Sequence, residues 1–229
     1  MKALILCGGF GTRYNKKNKT KVLKPLLKIN GLSILERIII LYRKQGIKDF
    51  LLLGGFNFEK LEKFSKKFKS LNIRAINTGL YTNTAGRLLK VKKFINKNEN
   101  FLFTYGDSLA DFNLKKNLKI KNNNNYTVCA YNYKIPYGGL RLDSKINLKK
   151  ILEKKTTIPI NAGFYILDDS IFSYIKGNKE SFEKTTINKV VDRKKKFFKC
   201  LYVKKWFPLD TYQDKIALNE HLKKHNEFF

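Results

Sequence analysis

The sequence predicts an α/β fold in which a mostly parallel sheet is wrapped by helices and carries a small additional β layer. In the first half, short apolar segments typical of buried strands alternate with segments whose apolar residues recur at helical spacing. Strands and helices that alternate at these lengths form a parallel sheet covered by helices. The second half is richer in β-like segments, and residues 126–133 alternate between apolar and polar side chains.

The individual elements follow from these patterns in chain order. Strands of the first half are predicted at residues 2–6, 50–53, 73–76 and 101–105. Helices between them are predicted at residues 34–44, 59–68 and 86–94. Later strands are predicted at residues 126–133, 140–142, 151–152 and 160–167. We expect residues 126–167 to form the extra layer and cover the site, and a last helix to run from residue 210 or 211 to about 223.

Composition indicates one packed domain. The chain has 229 residues, is 43% hydrophobic and 14% aromatic, and shows neither a repeat nor a linker. The first apolar run is broken at once by two glycines, and no stretch approaches the ~18 apolar residues of a membrane-spanning helix. Cys7, Cys129 and Cys200 are widely spaced and contain no CxxC pair, which favours reduced thiols. A cytoplasmic protein without a membrane partner is therefore expected.

The formal net charge is +30, a value common among nucleic-acid-binding proteins. The lysines are spread over the whole chain, however, and few of the basic residues are arginine, which is favoured for phosphate forks. We interpret most of the lysine as surface bias and do not expect a nucleic-acid partner. His221 and His225 have helical metal-ligand spacing but no third ligand nearby, so a solvated helix face is the preferred interpretation.

The loop after the first strand combines three glycines with cations, in the stretch LCGGFGTRYNKKNKTKVLKP at residues 6–25. The glycines permit positive φ angles and close backbone approach, so several N–H groups can face one anion. Arg13 adds a charged fork, and Lys24 adds a point charge before a proline. The stretch matches neither the GxxxxGK[ST] pattern of a P-loop nor the GxGxxG pattern of dinucleotide-binding folds. It therefore predicts an anion site of a different kind.

This stretch resembles the signature of sugar-phosphate nucleotidyltransferases, in which a first strand is followed by GGxGTR and, after a gap, by KP. NTGLYTNTAGRL at residues 77–88 and FTYGD at residues 103–107 resemble the DTGxxTxTGGRL and FTYGD segments of glucose-1-phosphate cytidylyltransferases. LEK, NAGF and WFPLDT, which begin at residues 152, 161 and 206, resemble the QEKP, NGGF and WQPMDT of the same family. The motifs follow family order over nearly the whole chain.

The resemblance implies a Rossmann-like fold of the nucleotide-diphospho-sugar transferase type, in a single domain over residues 1–229. It also implies a nucleotide-binding half at residues 1–125 and a sugar-phosphate-binding half at residues 126–229. The implied reaction is a Mg²⁺-dependent condensation of CTP with a sugar 1-phosphate, glucose 1-phosphate in the most similar family, to give a CDP-sugar and pyrophosphate. Relatives commonly form rings of identical subunits, which leaves a homo-oligomer open.

Site residues carried over from the family fall into four groups. The catalytic residues are Arg13, Lys24 and Asp107. The nucleotide-binding residues are Leu6, Cys7, Gly8, Gly9, Gly11, Thr12, Arg13, Lys24, Thr82, Arg87 and Gly106. The sugar-phosphate-binding residues are Arg87, Glu153, Lys154 and Asn161. The metal ligands are Asp107 and Asp210.

Several alternatives stay open at this point. From sequence alone, Asp210 is as compatible with a helix N-cap as with a metal ligand, and Asp111 is expected to cap the helix that follows it. Cys7 is interpreted as a strand-end thiol rather than a nucleophile. The departures from the family pattern, at residues 136–140 and 155–156, lie on the acceptor side. Another nucleoside triphosphate or another phosphorylated acceptor is thus the alternative within the enzyme class, and a non-catalytic nucleic-acid-binding protein is the alternative outside it.

Overall fold

A computed structural model describes residues 1–12, 14, 22–68, 70–153 and 156–225. The strands are β1 (Lys2–Leu6), β2 (Lys28–Ile29), β3 (Leu32–Ser33), β4 (Asp49–Gly54), β5 (Asn72–Asn77), β6 (Asn100–Tyr105), β7 (Ser108–Ala110), β8 (Asn125–Lys134), β9 (Gly139–Leu142), β10 (Leu148–Leu152), β11 (Thr157–Asp168), β12 (Phe197–Val203) and β13 (Trp206–Pro208). The α-helices are α1 (Ile34–Arg43), α2 (Phe58–Ser65), α3 (Thr84–Lys90), α4 (Leu114–Ile120), α5 (Asn188–Arg193) and α6 (Tyr212–Lys224). Short 3-10 or π-helical turns occupy Lys24–Leu26, Lys92–Phe94, Asp169–Tyr174 and Phe182–Ile187.

One seven-stranded sheet, in the order β12-β8-β11-β6-β1-β4-β5, forms the centre of the fold. The pairs β6–β1, β1–β4, β4–β5 and β12–β8 are parallel. Only β11 runs against its neighbours β6 and β8 in this sheet. Three small antiparallel pairs, β9–β10, β7–β13 and β2–β3, lie outside the main sheet. The predicted α/β class, with a mostly parallel sheet and small additional β structure, is confirmed.

The detailed prediction of a separate layer over residues 126–167 was wrong. β8 and β11 join the main sheet, where β11 pairs with the edge of β6 that faces away from β1. The reason is burial: residues 162–168 of β11 are all buried, as a strand in the middle of a sheet requires. Only the β9–β10 hairpin stands apart from the main sheet in that segment.

Two apolar clusters cover the two faces of the sheet. Along β1, Ala3 and Ile5 belong to one cluster and Leu4 to the other, because successive side chains of a strand point to opposite faces. Helix α1 packs on the first face and starts with a capping box, in which Ser33 and Glu36 each bind the other's backbone N–H. This packing buries β1 in the centre of the sheet.

One predicted helix begins earlier than expected, and another has a different N-cap residue. Helix α3 begins at Thr84, so Arg87 lies inside the helix rather than at its start. Asp111 does not cap α4; its carboxylate accepts hydrogen bonds from the backbone N–H groups of Lys204 and Lys205, while Asn113 caps the helix. In the described part of the chain, no helix is long and apolar enough to cross a membrane.

Candidate active site

The loops that leave the central parallel strands meet at one edge of the sheet. The N–H of Gly106, just after β6, donates to the carbonyl of Leu6 at the end of β1, at 3.0 Å. The N–H of Phe56, just after β4, donates to the carbonyl of Gly8 at 3.2 Å. The motif loops after β1, β4 and β6 are therefore tied together where ligands of such sheets bind.

A cavity of about 570 Å³ opens at this edge. The predicted site residues on its wall are Leu6, Cys7, Gly8, Gly9, Gly11, Lys24, Thr82, Arg87 and Asp107. The wall also contains residues that were not predicted, namely Phe10, Pro25, Leu80, Tyr81, Asn83, Thr84, Tyr105 and Lys179. All of these except Lys179 lie inside stretches that carry the family resemblance, so a reading of whole motifs could have found them. Lys179 belongs to none of those stretches.

Other predicted residues are not on the wall of this cavity. Those described by the structure are Thr12, Gly106, Glu153, Asn161 and Asp210. Arg13 and Lys154 lie outside the described residues. The structure thus does not bring the residues predicted to bind the sugar phosphate together at this cavity. Glu153 is exposed just after the β9–β10 hairpin. The amide of Asn161 donates to the Tyr165 hydroxyl and accepts from the N–H of Gly163 at 2.8 Å, which occupies it within its own strand.

Arg87 holds the loops together instead of presenting its charge to the cavity. Its Nη1 donates to the carbonyl of Gly54 and to the hydroxyl of Thr78, both at 2.7 Å. Its Nη2 donates to the carbonyls of Gly8 at 2.9 Å and Leu80 at 3.3 Å. The four terminal N–H groups of Arg87 are directed to protein acceptors, which buried guanidinium groups require, and its contact with a phosphate stays a prediction.

Close approach to this arginine explains one glycine of the first loop. A Cβ at position 8 would lie 2.2 Å from Nη1 of Arg87, so only glycine fits beside the guanidinium. Of the three loop glycines, Gly11 is the one with a positive φ, 58°. Gly8 is thus required by the close approach of Arg87, whereas Gly11 is favoured by its positive φ.

Lys24 lies between the two predicted metal ligands. Its Nζ is 2.8 Å from Oδ1 of Asp210 and 3.8 Å from Oδ2 of Asp107. The lysine side chain is only 7% exposed, whereas those of Asp107 and Asp210 are 41% and 32% exposed. A buried ammonium at the cavity wall therefore meets two carboxylates that remain accessible from solvent.

Local structure explains how residues so far apart in sequence converge. Strand β7 pairs with β13 so that Ser108 is opposite Pro208, which places the residues just before Ser108 beside those just after Pro208. Thr211 is the N-cap of α6 and forms a capping box with Asp214. The N-cap alternative for Asp210 is thereby excluded, and its carboxylate is directed to Lys24.

This arrangement fits a divalent cation in the chemistry of its donors. Two carboxylates already converge on one cationic group, and carboxylate oxygens are the protein ligands of Mg²⁺. Within the described ranges, no group of three or more His, Cys, Asp or Glu side chains could hold a metal ion, and this includes His221 and His225. An ion bound at Asp107 and Asp210 would take its remaining ligands from water or substrate, as Mg²⁺ commonly does beside phosphates.

Cys7 is unsuited to nucleophilic chemistry. Its side chain is fully buried below the loop, and burial, with a further contribution from Asp107 that Arg87 opposes, raises the pKa of the thiol far above its usual range. A protonated thiol is a weak nucleophile. Cys7 therefore acts as a small apolar residue at the end of β1.

Several known proteins resemble this chain over most of its length. The family model described as nucleotidyl transferase matches residues 2–225. The glucose-1-phosphate cytidylyltransferase of Salmonella typhi is 28% identical, over 95% of this chain and 94% of the relative. The D-glycero-alpha-D-manno-heptose 1-phosphate guanylyltransferase of Campylobacter jejuni is 32% identical, over 80% of this chain and 83% of the relative.

The fold is also found in a solved structure. HddC from Yersinia pseudotuberculosis, complexed with GMP-PN, has a TM-score of 0.74 and 24% identity, and the match covers 96% of this chain and 99% of that one. Together with the family match over almost the entire chain, these findings establish the relationship. The chain belongs to the nucleotidyl transferase family and, within it, to the sugar-phosphate nucleotidyltransferases.

Proposed function

We propose that the chain is a Mg²⁺-dependent cytidylyltransferase that condenses CTP with glucose 1-phosphate and yields CDP-glucose and pyrophosphate. The observation that carries the proposal is the convergence of Lys24, Asp107 and Asp210 beside the glycine-loop cavity. A cation and two carboxylates at the mouth of an anion site are what the joining of two phosphate-bearing substrates requires.

Repulsion between the substrates is the main barrier that the site has to lower. A nucleoside triphosphate and a sugar phosphate are both multiply anionic, and two unit charges 4 Å apart repel by about 4 kcal/mol at an effective dielectric constant of 20. A Mg²⁺ ion held by Asp107 and Asp210 would supply Lewis-acid neutralisation of phosphate oxygens. The protein itself contributes Lys24, and the proposed role of its ammonium is to bind an oxygen of the α-phosphate once a metal ion takes its place at the carboxylates.

The bond change in the proposed reaction is a direct displacement. A phosphate oxygen of the sugar phosphate attacks the α-phosphorus of CTP, and the bond to the β-phosphate oxygen breaks as pyrophosphate leaves. The proposed role of the glycine loop and Arg13 is to hold the departing pyrophosphate. Arg87 is a positioning residue in this scheme, because its hydrogen bonds to Gly8 and Gly54 fix the loops rather than the phosphates. Glu153, Lys154 and Asn161 remain proposed contacts of the sugar phosphate.

The choice of CTP and glucose 1-phosphate is supported by the named activity of the Salmonella typhi relative, which matches nearly the whole chain. A second candidate is transfer of GMP to a heptose 1-phosphate, because a guanylyltransferase of that specificity is 32% identical over a shorter part of the chain. Both candidates use the same cavity and cation site, so they differ only in which base and sugar are accepted.

A substrate matrix tests the proposal. Purified protein is incubated with each of four nucleoside triphosphates and with glucose 1-phosphate, mannose 1-phosphate or a heptose 1-phosphate, and pyrophosphate release is followed with and without Mg²⁺. We expect release with CTP and glucose 1-phosphate, and none without the divalent ion. Turnover with GTP and the heptose 1-phosphate alone would favour the second candidate, and turnover without Mg²⁺ would contradict the metal role.

The same preparation separates an enzyme from a nucleic-acid-binding protein. The net charge of +30 would support RNA binding with a steep salt dependence. RNA affinity that falls strongly with salt, together with no pyrophosphate release for any substrate pair, would replace the enzymatic proposal.

A further inference from the structure

One residue from the second half of the chain reaches the wall of the cavity. It is Lys179, in the short segment 177–180 between the helical turns Asp169–Tyr174 and Phe182–Ile187. Every other described residue on the wall belongs to the first half. Lys179 therefore adds an ammonium group to the cavity wall from a part of the chain outside the glycine loop.

The backbone on both sides of Lys179 is fastened to the start of helix α3. The N–H of Asn83 donates to the carbonyl of Asn178 at 2.9 Å, and the N–H of Ala85 donates to the carbonyl of Glu180 at 3.1 Å. The two hydrogen bonds bracket Lys179, so its Cα is held at a defined place beside the cavity. The side chain itself is exposed and takes no part in this fastening.

Helix α3 and the segment also lie in direct backbone contact. A Cβ at position 86 would be 2.2 Å from the carbonyl oxygen of Asn178, so the helix presents a glycine where the segment crosses it. Helix α3 and the segment therefore pack about as closely as two backbones can. The location of Lys179 is thus set by the fold and not by its own side chain.

The charges on the wall distinguish Lys179 from the other cations there. Among the described wall residues, Lys24 is paired with Asp210, and Arg87 is surrounded by carbonyl and hydroxyl acceptors. The ammonium of Lys179 makes neither an ion pair nor a hydrogen bond with any residue that the structure describes. A cation at an accessible cavity wall, with its donors available, is complementary to an anionic or carbonyl-bearing ligand.

We propose that Lys179 is a nucleotide-binding residue, whose ammonium donates to an oxygen of the nucleoside triphosphate and strengthens its binding. This inference rests on the proposed function, because it assigns the cavity to the nucleotide. The assignment to the nucleotide rather than the sugar phosphate follows from the neighbours of Lys179. Asn83 and Thr84 on the same wall belong to the TGLYTNTAGRL stretch, and Arg87 of that stretch donates to the carbonyl of Gly8 in the glycine loop.

The test is equilibrium binding by calorimetry, with no sugar phosphate present and therefore no turnover. CTP is titrated into the wild type, Lys179→Ala and Lys179→Arg, with Lys176→Ala as the matched control. Lys176 is an exposed lysine of the same region that does not line the cavity. Its replacement by alanine changes the net charge by the same amount as Lys179→Ala but leaves the cavity wall unchanged. CMP and glucose 1-phosphate are titrated into the same four proteins, at low and at high salt.

We expect Lys179→Ala to raise the Kd for CTP about tenfold or more, as for the loss of a hydrogen bond that involves a charged group. Lys179→Arg should keep most of the affinity, and Lys176→Ala should match the wild type. The Kd for CTP should also depend less on salt in Lys179→Ala than in the wild type. A loss for CTP but not CMP would place the contact at the β- or γ-phosphate, and an equal loss for both would place it elsewhere on the nucleotide.

The inference is overturned if Lys179→Ala binds CTP as the wild type does, if Lys176→Ala weakens binding equally, or if only glucose 1-phosphate binding changes.

Failure of the underlying function has a different signature. If the wild type itself binds no nucleoside triphosphate, titrated with all four, the proposed function fails together with the assignment of the cavity. The thermal midpoint of each variant is measured as a control for folding. It should match that of the wild type, because the hydrogen bonds that hold the segment come from the backbone.

Discussion

Lys24 and Asp210 form an ion pair with an N–O distance of 2.8 Å, although 186 residues separate them in the sequence. The same ammonium is 3.8 Å from a carboxylate oxygen of Asp107. A single lysine thus pairs with both residues that we propose as metal ligands. The lysine and a divalent ion should consequently compete for the same oxygens.

Replacing this lysine should strengthen divalent-ion binding and weaken catalysis. We expect Lys24→Met to bind Mn²⁺ at least about fivefold more tightly than the wild type without substrates, because a competing positive charge is removed at short range. Pyrophosphate release should fall at the same time, since the cation for the α-phosphate is lost. Mn²⁺ binding is measured by electron paramagnetic resonance, with Lys28→Met, an exposed lysine on β2, as the control. Weaker Mn²⁺ binding in Lys24→Met would contradict the competition.

Removing either carboxylate should abolish turnover without unfolding the protein. Asp107→Asn and Asp210→Asn are each expected to lower pyrophosphate release about 100-fold or more, as the loss of a group that stabilises transition-state charge does. Each variant should remain folded because the other carboxylate still faces Lys24, but its thermal midpoint should fall by a few degrees, since this buried ammonium loses one partner. Asp192→Asn, at an exposed position of α5, serves as the charge control. Near-normal turnover in either site variant would remove that residue from the proposed metal site.

Arg87→Lys distinguishes a positioning role from direct phosphate binding. Lysine keeps the charge but cannot reach the carbonyls of Gly8, Gly54 and Leu80 together, so we expect the free energy of unfolding to fall by about 3 kcal/mol. Chemical denaturation measures this change, and calorimetry measures the accompanying loss of CTP affinity. Unchanged stability with a large loss of affinity would instead indicate that the guanidinium meets the phosphate itself.

A buried charge cluster far from the cavity should govern acid stability. The carboxylate of Asp168 is 2.9 Å from the ammonium groups of both Lys121 and Lys196. Burial would raise its pKa, but hydrogen bonds from Ser170, Lys196 and Lys121 outweigh burial and lower it below the usual value. A carboxyl with a lowered pKa stabilises the folded state above its unfolded pKa of about 3.9, and that contribution disappears as the pH falls through the folded value.

Asp168→Asn should therefore be less stable than the wild type at pH 7, by roughly 3 kcal/mol, because the largely buried side chains of Lys121 and Lys196 lose their counterion. The difference should shrink as the pH falls below about 3.9, where the carboxyl of the unfolded chain takes up a proton, and through the lower pKa of the folded state. Denaturant unfolding at a series of pH values measures both effects. A difference that stays constant down to pH 2 would show that charge pairing is not its cause.

Much of the site could be predicted because parallel strands send their carboxyl ends to one edge. Asp107 follows β6, and the glycine loop follows β1, so topology alone brings them together. Asp210 was ambiguous because an aspartate before a helix fits two roles. What resolves it is the pairing of β7 with β13 together with the capping by Thr211, and neither can be read from local sequence.

Side-chain direction limited the rest of the prediction. A motif records that an arginine is present at position 87 but not that carbonyls surround its guanidinium. Residues 126–167 contain strands that sequence identifies correctly, yet the pairing partner of β11 depends on which edge of β6 is open. Lys179 reaches the cavity through backbone contacts of a segment with no recognisable motif, so only the folded chain reveals it.

The long separation between Lys24 and Asp210 also orders events during synthesis. A ribosome releases β1, its loop and Lys24 first, whereas the pairing of Lys24 with Asp210 requires β13 and the first turn of α6, which follow much later in the chain. A nascent or prematurely terminated chain can hence assemble the strands around β1 while its two-carboxylate site is still missing one member. In the proposed mechanism, turnover therefore begins only after β13 and the first turn of α6 have docked and have brought Asp210 to Lys24.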